Sequence, residues 1–293
     1  MLTTNIEKKL RSLCLSTREN IIVFSAYIKV DKFEEYNMLT RDVKNKVLLI
    51  RGRKSDFLSK SSDLEVIQYA LSYGWSVYIN NRIHAKLYLF DNSKALIGSA
   101  NFTNSGINDG LKGNLELMAE VDLPEADLDK INAIIKNSTN VTQNELNLMI
   151  TEMKDGETNL KQNVVNDNWS FEKNNDVVYL FPDEMLQEYS LPLSELNRRV
   201  LNLSHTYTDY DLKKAFEETN IYNWLLGILE STELKTISFG ELSARLHNTL
   251  ISNDRIYRKD VKKYLANLMS WVAVFDDKIE LTSTNFSTII KLK

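Results

Sequence analysis

The chain has 293 residues, enough for two domains at roughly 100–200 residues each. Hydrophobic residues make up 43% and charged residues 26%, with only three prolines and nine glycines, a composition that argues against long disordered tracts. The net charge is −4, no apolar run approaches the roughly 18 residues of a spanning helix, and the mixed-charge amphipathic start is unlike a secretion signal, so a cytoplasmic protein without a membrane partner is expected.

Charge is unevenly spread. Residues 1–141 carry +2, residues 142–234 carry −10 and residues 235–293 carry +4. An acidic middle thus separates two mildly basic ends. The single cysteine, Cys14, has no partner for an internal disulfide or a thiolate metal site.

Taken in order, the first third alternates helix and strand. Thr4 and Glu7 fit the capping box of a first helix, and Ser62 and Glu65 fit a second. Strands are predicted at Ile21–Ile28, Lys46–Gly52 and Trp75–Ile79, then in close succession at Ala85–Phe90, Lys94–Ser99 and Asn114–Val121. Such alternation predicts an α/β layer architecture. From Glu125 to about Met153 the pattern turns helical, with a capping box at Thr142 and Glu145. Residues 155–170 read as a loop or linker, and residues 176–182 as one short strand.

The last segment predicts a helix at Ile221–Leu229, a short strand at Thr236–Phe239, a helix capped by Ser238 and Glu241, and a second helix at Tyr257–Trp271. Val261, Tyr264, Leu265, Leu268 and Met269 form a single stripe on that last helix. Val272–Phe275 and Ile279–Leu281, joined by Asp276-Asp277-Lys278, read as a β-hairpin. This order is that of a winged helix-turn-helix. Three parts are expected: a catalytic domain at 1–141, an acidic connecting region at 142–215 and a mainly helical winged-helix-like domain at 216–293.

Chemistry concentrates in Arg82–Asp91 and the segment after it. On a strand, His84, Lys86, Tyr88 and Phe90 share one face, and Ala85, Leu87 and Leu89 share the other, apolar one. A neutral imidazole can attack phosphorus directly, and a neighbouring ammonium compensates the phosphate charge. Ser99 and Asn101 offer a hydroxyl and an amide to phosphate oxygens. Gly98 leaves room for close approach. Glu116, with Glu120 competing, offers a carboxylate to hold the histidine tautomer. Metal ligation by His84 is disfavoured because no second histidine or cysteine lies at metal-site spacing, so no metal and no cofactor are expected.

His84-x-Lys86, four residues, Asp91, six residues, Gly98-Ser99-x-Asn101 resembles the signature of the phospholipase D superfamily at every motif position. The resemblance covers roughly residues 15–122. It implies a sandwich built on a mixed β-sheet with flanking helices. It also implies a two-step, metal-free mechanism through a covalent phosphohistidine on His84. Lys86, Ser99 and Asn101 map onto phosphate-binding positions. Asp91 maps onto the motif aspartate, with a role more structural than chemical, and Glu116 onto a downstream glutamate of nuclease members. Only one copy of the motif is present, and His205 and His247 lack its context. Single-copy members of the superfamily are homodimers whose motifs meet at the two-fold axis, which implies the same here.

The expected activity is that of a DNA endonuclease resembling restriction-type members, with a restriction or defence role implied by that resemblance alone. A phospholipid-processing enzyme and a catalytically silent nucleic-acid-binding module are the alternatives. Arg51 and Arg53, after a strand end, are candidate phosphate contacts, against the plainer reading of solvated arginines. Arg255, Arg258, Lys259, Lys262 and Lys263 form a basic set on or just before the last helix, suited to a groove or phosphate backbone, against a dimerisation or protein-docking role.

Overall fold

A computed structural model describes residues 1–108, 113–159, 167–172, 180–252, 255–283 and 288–293, with side chains of 155–159 outside that description. The chain divides into two compact units, Met1–Asn175 and Asp176–Lys293.

Unit 1 begins with a short strand β1 (Leu2–Thr3) and helix α1 (Ile6–Ser16). Then come β2 (Asn20–Ser25), α2 (Val30–Leu39), β3 (Asn45–Ile50), α3 (Lys54–Leu58), α4 (Glu65–Ser72) and β4 (Ser76–Ile79). After these follow β5 (Leu87–Phe90), β6 (Lys94–Gly98), α5 (Asn104–Ile107), β7 (Met118–Asp122), α6 (Glu125–Asn137), β8 (Thr139–Val141) and α7 (Gln143–Asn159). The eight strands form one mixed sheet in the order β1-β7-β6-β5-β2-β3-β4-β8. Strands β2, β3 and β4 run parallel, and every other neighbour is antiparallel.

Both faces of this sheet are covered, which is why β2 reads as a continuous apolar run rather than an alternating one. Ile21 and Val23 of β2 pack on one side with α1, α2, α4 and α7, through residues such as Leu10, Phe33, Ile67 and Met149. Ile22 and Phe24 pack on the other side with Leu87, Leu89 and Ile131 of α6. The period-two alternation expected for the segment after His84 holds in β5, where Tyr88 and Phe90 join the first cluster and Leu87 and Leu89 the second.

Several local expectations need correction. Thr4 and Glu7 do not cap α1, whose N-cap is Asn5 with no side-chain bond. Ser62 is buried and accepts the amide of Ile28 at 3.3 Å instead of capping α4. The expected strand at Ala85–Phe90 starts only at Leu87, and the one at Asn114–Val121 starts only at Met118. The helical stretch after Glu125 is two helices separated by β8, an edge strand paired with β4. Residues 142–215, read as a connector, are shared between the units: Leu146 and Met149 belong to the core of unit 1, and Leu186 and Leu212 to that of unit 2. Most of the strand read at 176–182 lies outside the described residues.

Unit 2 contains α8 (Glu195–Val200), α9 (Asp209–Glu217), α10 (Asn220–Ser231), β9 (Thr236–Ser238), α11 (Phe239–Thr249), α12 (Arg258–Phe275), β10 (Ile279–Ser283) and β11 (Thr288–Leu292). Its sheet has the order β10-β11-β9, all antiparallel. Ser238 caps α11 as expected, accepting the amide of Glu241 at 3.2 Å. The expected hairpin is displaced: Val272–Phe275 ends α12, and the true pair is β10 with β11. Val272 is fully buried because it continues the apolar stripe of α12.

Candidate active site

The parallel strands β2, β3 and β4 end on the same side of the sheet at which β5 begins, β6 ends and β7 begins. The candidate side chains of His84, Lys86, Ser99 and Asn101 lie at or just beyond that end, outside the carboxyl ends of the parallel strands, where open α/β sheets commonly bind ligands.

His84 lies in the extended segment between a turn and β5. The turn is closed by the amide of Ile83 on the carbonyl of Asn80 at 3.0 Å. The imidazole is exposed, while Lys86 is 8% exposed. The Lys86 ammonium lies 2.9 Å from His84 Nδ1 and donates to the His84 carbonyl at 2.8 Å. A charged lysine only donates, so this contact suits a ring nitrogen that carries the lone pair, the form of a neutral imidazole. Partial burial, followed by the charges of Lys86, Arg51 and Arg53, pulls the His84 pKa below its usual 6.5. Burial and Arg51 likewise lower that of Lys86, against the pull of Glu116.

Asn101 is held by its oxygen. Oδ1 accepts the amide of Tyr27 at 3.2 Å and lies 3.5 Å from the hydroxyl of Ser25, which leaves the amide nitrogen as the end able to donate. Sequence reasoning passed over Ser25 and Tyr27. Ser25, fully buried at the end of an apolar strand, also accepts the amide of Phe102 at 2.9 Å, and such a polar residue closing an apolar run was the available signal.

Ser99 is more committed than its motif position suggests. Its hydroxyl accepts the amide of Leu117 at 3.0 Å, and its own amide donates to the Leu117 carbonyl at 3.1 Å. These bonds pin the non-strand segment that carries Glu116. Gly98 permits the approach, because a Cβ there would sit 2.1 Å from the Leu117 carbonyl oxygen and 2.8 Å from Met118 Cα. Glu116 accepts from the side chain of Asn114 at 3.1 Å. Among the described residues no carboxylate is bonded to the His84 ring, so the tautomer-holding contact expected of Glu116 is not made. Glu120 is ion-paired to Lys9 at 2.5 Å.

Asp91 stands at the far end of β5. Its carboxylate accepts three consecutive backbone amides, Arg18 at 3.2 Å, Glu19 at 2.8 Å and Asn20 at 3.0 Å, and its φ of +45° opens the turn into β6. The four residues of β5, at about 3.3 Å each, separate it from the imidazole's end of the sheet. Partial burial works against its charge, but the three amides outweigh it and hold the carboxyl below its ordinary range.

Arg51 and Arg53 border the site but are engaged within the protein. Arg51 makes a two-pronged pair with Asp56, both contacts at 2.7 Å, and its guanidinium lies 4.7 Å from the centre of the Tyr27 ring. Arg53 Nε donates to the Asn81 carbonyl at 3.0 Å. A cleft of about 780 Å³ opens beside Asn101 and Glu116, bordered also by Tyr27, Lys29, Asn104 and Ser105. Among the described residues no cluster of three histidine, cysteine or carboxylate side chains is placed to hold a metal ion. No described helix is long and apolar enough to cross a membrane. Cys14 is buried, and burial pushes its thiol up to about 12.

In unit 2, Arg255, Arg258, Lys259, Lys262 and Lys263 are all exposed, on the outer face of α12 or just before it. Arg255 and Lys259 flank the exposed ring of Tyr257 at 5.6 Å and 5.8 Å.

Comparison with known proteins bears on unit 1. Residues 10–149 match the family described as cardiolipin synthase, phospholipase D-like domain. Among solved structures, NucT from Helicobacter pylori aligns with 16% identity over 48% of this chain and 98% of that one, at a TM-score of 0.38. Nuc from Salmonella typhimurium, a phospholipase D family member, aligns with 15% identity over 56% and 90%, at 0.33. Phosphatidylserine synthase from Haemophilus influenzae aligns with 13% identity over 59% and 46%, at 0.39. No curated protein sequence matches the chain.

Proposed function

Because unit 1 belongs to the phospholipase D superfamily, its mixed eight-stranded sheet with flanking helices being the phospholipase D-like fold, we propose that the chain is a metal-independent phosphodiesterase that cuts DNA as a homodimer. The observation that carries this reading is an exposed imidazole held against a buried lysine ammonium at the open end of the sheet.

An arriving phosphate takes up the donors of Lys86 and the free amide of Asn101. Released from the lysine, the His84 lone pair attacks phosphorus. A P–N bond forms as the P–O bond to the leaving nucleotide breaks, and the leaving oxygen takes its proton from the partner subunit's His84, which enters this step as imidazolium and leaves it neutral. Water then attacks the phosphohistidine, losing its proton to that second imidazole, and the P–N bond breaks. Ile97, Leu115 and Leu117, which are 42%, 94% and 49% exposed beside Gly98 and Ser99, offer an apolar surface for the self-complementary contact that brings two such imidazoles together.

Unit 2 supplies the grip. Its order α10, β9, α11, α12, β10, β11 is that of a winged helix, with α12 in the recognition position and five exposed cations on or before it. A restriction or defence role extends this reading by one step and requires selectivity among DNAs. The test is cleavage of duplex DNA, single-stranded DNA, RNA and phosphatidyl lipid vesicles in excess EDTA. Expected are DNA cleavage that survives the chelator, its loss in His84→Ala, and an acid-trapped phosphohistidine on residue 84. A strict requirement for magnesium, or turnover of lipid alone, overturns the proposal.

A further inference from the structure

Residues Asp167–Glu172 lie beyond the matched region yet close on the turn that carries His84. Five contacts anchor them to the corner between β3 and α3. Trp169 is buried against Phe57 and its indole N–H donates to the Gly52 carbonyl, with the Lys54 ammonium 5.2 Å from its ring centre. Asp167 takes the first two amides of α3: its carbonyl accepts from Lys54 at 3.3 Å and its carboxylate from Ser55 at 3.1 Å.

From that corner Arg53 reaches the carbonyl of Asn81 at 3.0 Å. Asn81 is the second residue of the turn Asn80–Ile83, and His84 follows directly. The Asn81 side chain enters the same contact set. Its amide nitrogen lies 2.9 Å from Asn168 Oδ1, 3.3 Å from the Asp167 carbonyl, and 3.0 Å and 2.8 Å from the two Glu172 carboxyl oxygens. A carboxamide nitrogen has two hydrogens, too few for four acceptors. Asn81 Oδ1, meanwhile, is buried with no donor. The Asp167 carbonyl already has the Lys54 amide, so the acceptor left without a hydrogen is Asn81 Oδ1, and a protonated Glu172 carboxyl, whose oxygens lie against the same carboxamide, has one to offer.

We propose that Asp167–Glu172 is a clasp belonging to the catalytic unit, that Asn81 and Glu172 are positioning residues fixing the His84 turn, and that the clasp loosens when Glu172 ionises. The proposal rests on His84 being the nucleophile. Burial favours the protonated form, pushing Glu172 up to about 7 against the opposing Trp169 amide, Asn81 and Lys54. The charged groups facing it are Lys54 from α3 and Glu152 from α7, themselves paired at 2.7 Å, while Asp167 on its own segment is bound to the Ser55 amide.

The test uses the full chain and two readouts. The chain has three histidines, so the ring nitrogen signals of His84 can be assigned by comparison with His84→Gln. In the wild type they are expected to shift near pH 7 in addition to the ring's own titration. Glu172→Gln, which supplies the missing hydrogen at every pH, abolishes that second shift. In cleavage assays Asn81→Ala lowers kcat roughly tenfold to a hundredfold at unchanged KM, the loss typical of a nucleophile displaced by about an ångström. Glu172→Gln keeps the acid-side rate and extends it to pH 8, where the wild type has declined. A circular-dichroism melt confirms that each variant is folded. Superimposable ring titrations for the wild type and Glu172→Gln, or a folded Asn81→Ala with full kcat, overturn the clasp. If the wild type cleaves no phosphodiester, the nuclease reading falls, and the ring titration alone decides the clasp.

Discussion

Replacing Asp91 separates architecture from chemistry in the motif. One carboxylate receives the amides of Arg18, Glu19 and Asn20 at 2.8–3.2 Å and so ties the start of β2 to the end of β5. Hydrogen bonds to a charged acceptor contribute about 1.5–3 kcal/mol when truncated. These three share one acceptor at a partly exposed site, so about 2 kcal/mol is expected for the set. The residue also sits at φ +45°, where an alanine adds about 1 kcal/mol of left-handed strain that asparagine or glycine largely avoids. Asp91→Ala should therefore destabilise unit 1 by about 3 kcal/mol, Asp91→Gly by about 2 and Asp91→Asn by about 1. Because the folded-state pKa lies below the unfolded one, the wild-type contribution is present above about pH 4 and disappears as pH falls through the folded value; the asparagine variant lacks this acid dependence. Hydrogen exchange of β2 and β5 peptides across a urea series reads the stability of unit 1 separately from unit 2. Wild-type exchange in Asp91→Ala alongside a collapse of cleavage would refute the architectural assignment and put this carboxylate in the reaction.

The acid limb of kcat/KM should rise as His84 loses its proton, with a midpoint below 6.5 because burial and three neighbouring cations favour the neutral ring; a pH–rate series at constant ionic strength checks it, and a midpoint above 7 would contradict the site's electrostatics. Gly98→Ala forces a methyl group onto the Leu117 carbonyl and Met118 Cα, both backbone, so a loss of roughly 1–3 kcal/mol and a displaced Glu116 segment are expected in thermal melts and exchange of residues 113–118. Lys262→Gln together with Lys263→Gln should weaken DNA binding without altering His84 chemistry and reduce the slope of log K against log salt by about 2, measured by fluorescence anisotropy.

How much of this was legible in the sequence depended on the range of the interactions. His84, Lys86, Gly98 and Ser99 were recognisable because their identities and spacing repeat a compact pattern. The strands β2 and β3 announced themselves by their apolar runs, and β4 by its β-branched and aromatic residues. Edge strands β1 and β8, of two and three residues, are too short for any period and owe their existence to the neighbour they pair with. Val272–Phe275 misled because β-branched and aromatic residues suit a strand, whereas here the burial of Val272 extends a helical stripe. Arg51 and Arg53 looked like free surface cations until Asp56 and the Asn81 carbonyl were seen to hold them. The contacts of Asn81 with Glu172, and of Gly52 with Trp169, join residues 91 and 117 positions apart, and no local pattern foretells them.

In the proposed mechanism one imidazole cannot both attack phosphorus and stand ready to protonate the leaving oxygen, so it requires a second proton carrier. The two other histidines are both in unit 2 and already have neighbours: His205 lies 3.4 Å from Arg198, and His247 lies 3.3 Å from the Ile256 carbonyl. In the proposed homodimer a second copy of the chain would supply that carrier by symmetry, and subunit mixing tests that proposal quantitatively. In a site built from two His84 rings, a dimer carrying one His84→Ala subunit has either a nucleophile without an acid or an acid without a nucleophile. After complete exchange at equal concentrations, about a quarter of the dimers hold two intact rings, so activity should fall to about a quarter of that of the same total protein in wild-type form. Retention of half the activity would mean that each chain works alone, and the proton donor would then have to be sought within a single subunit.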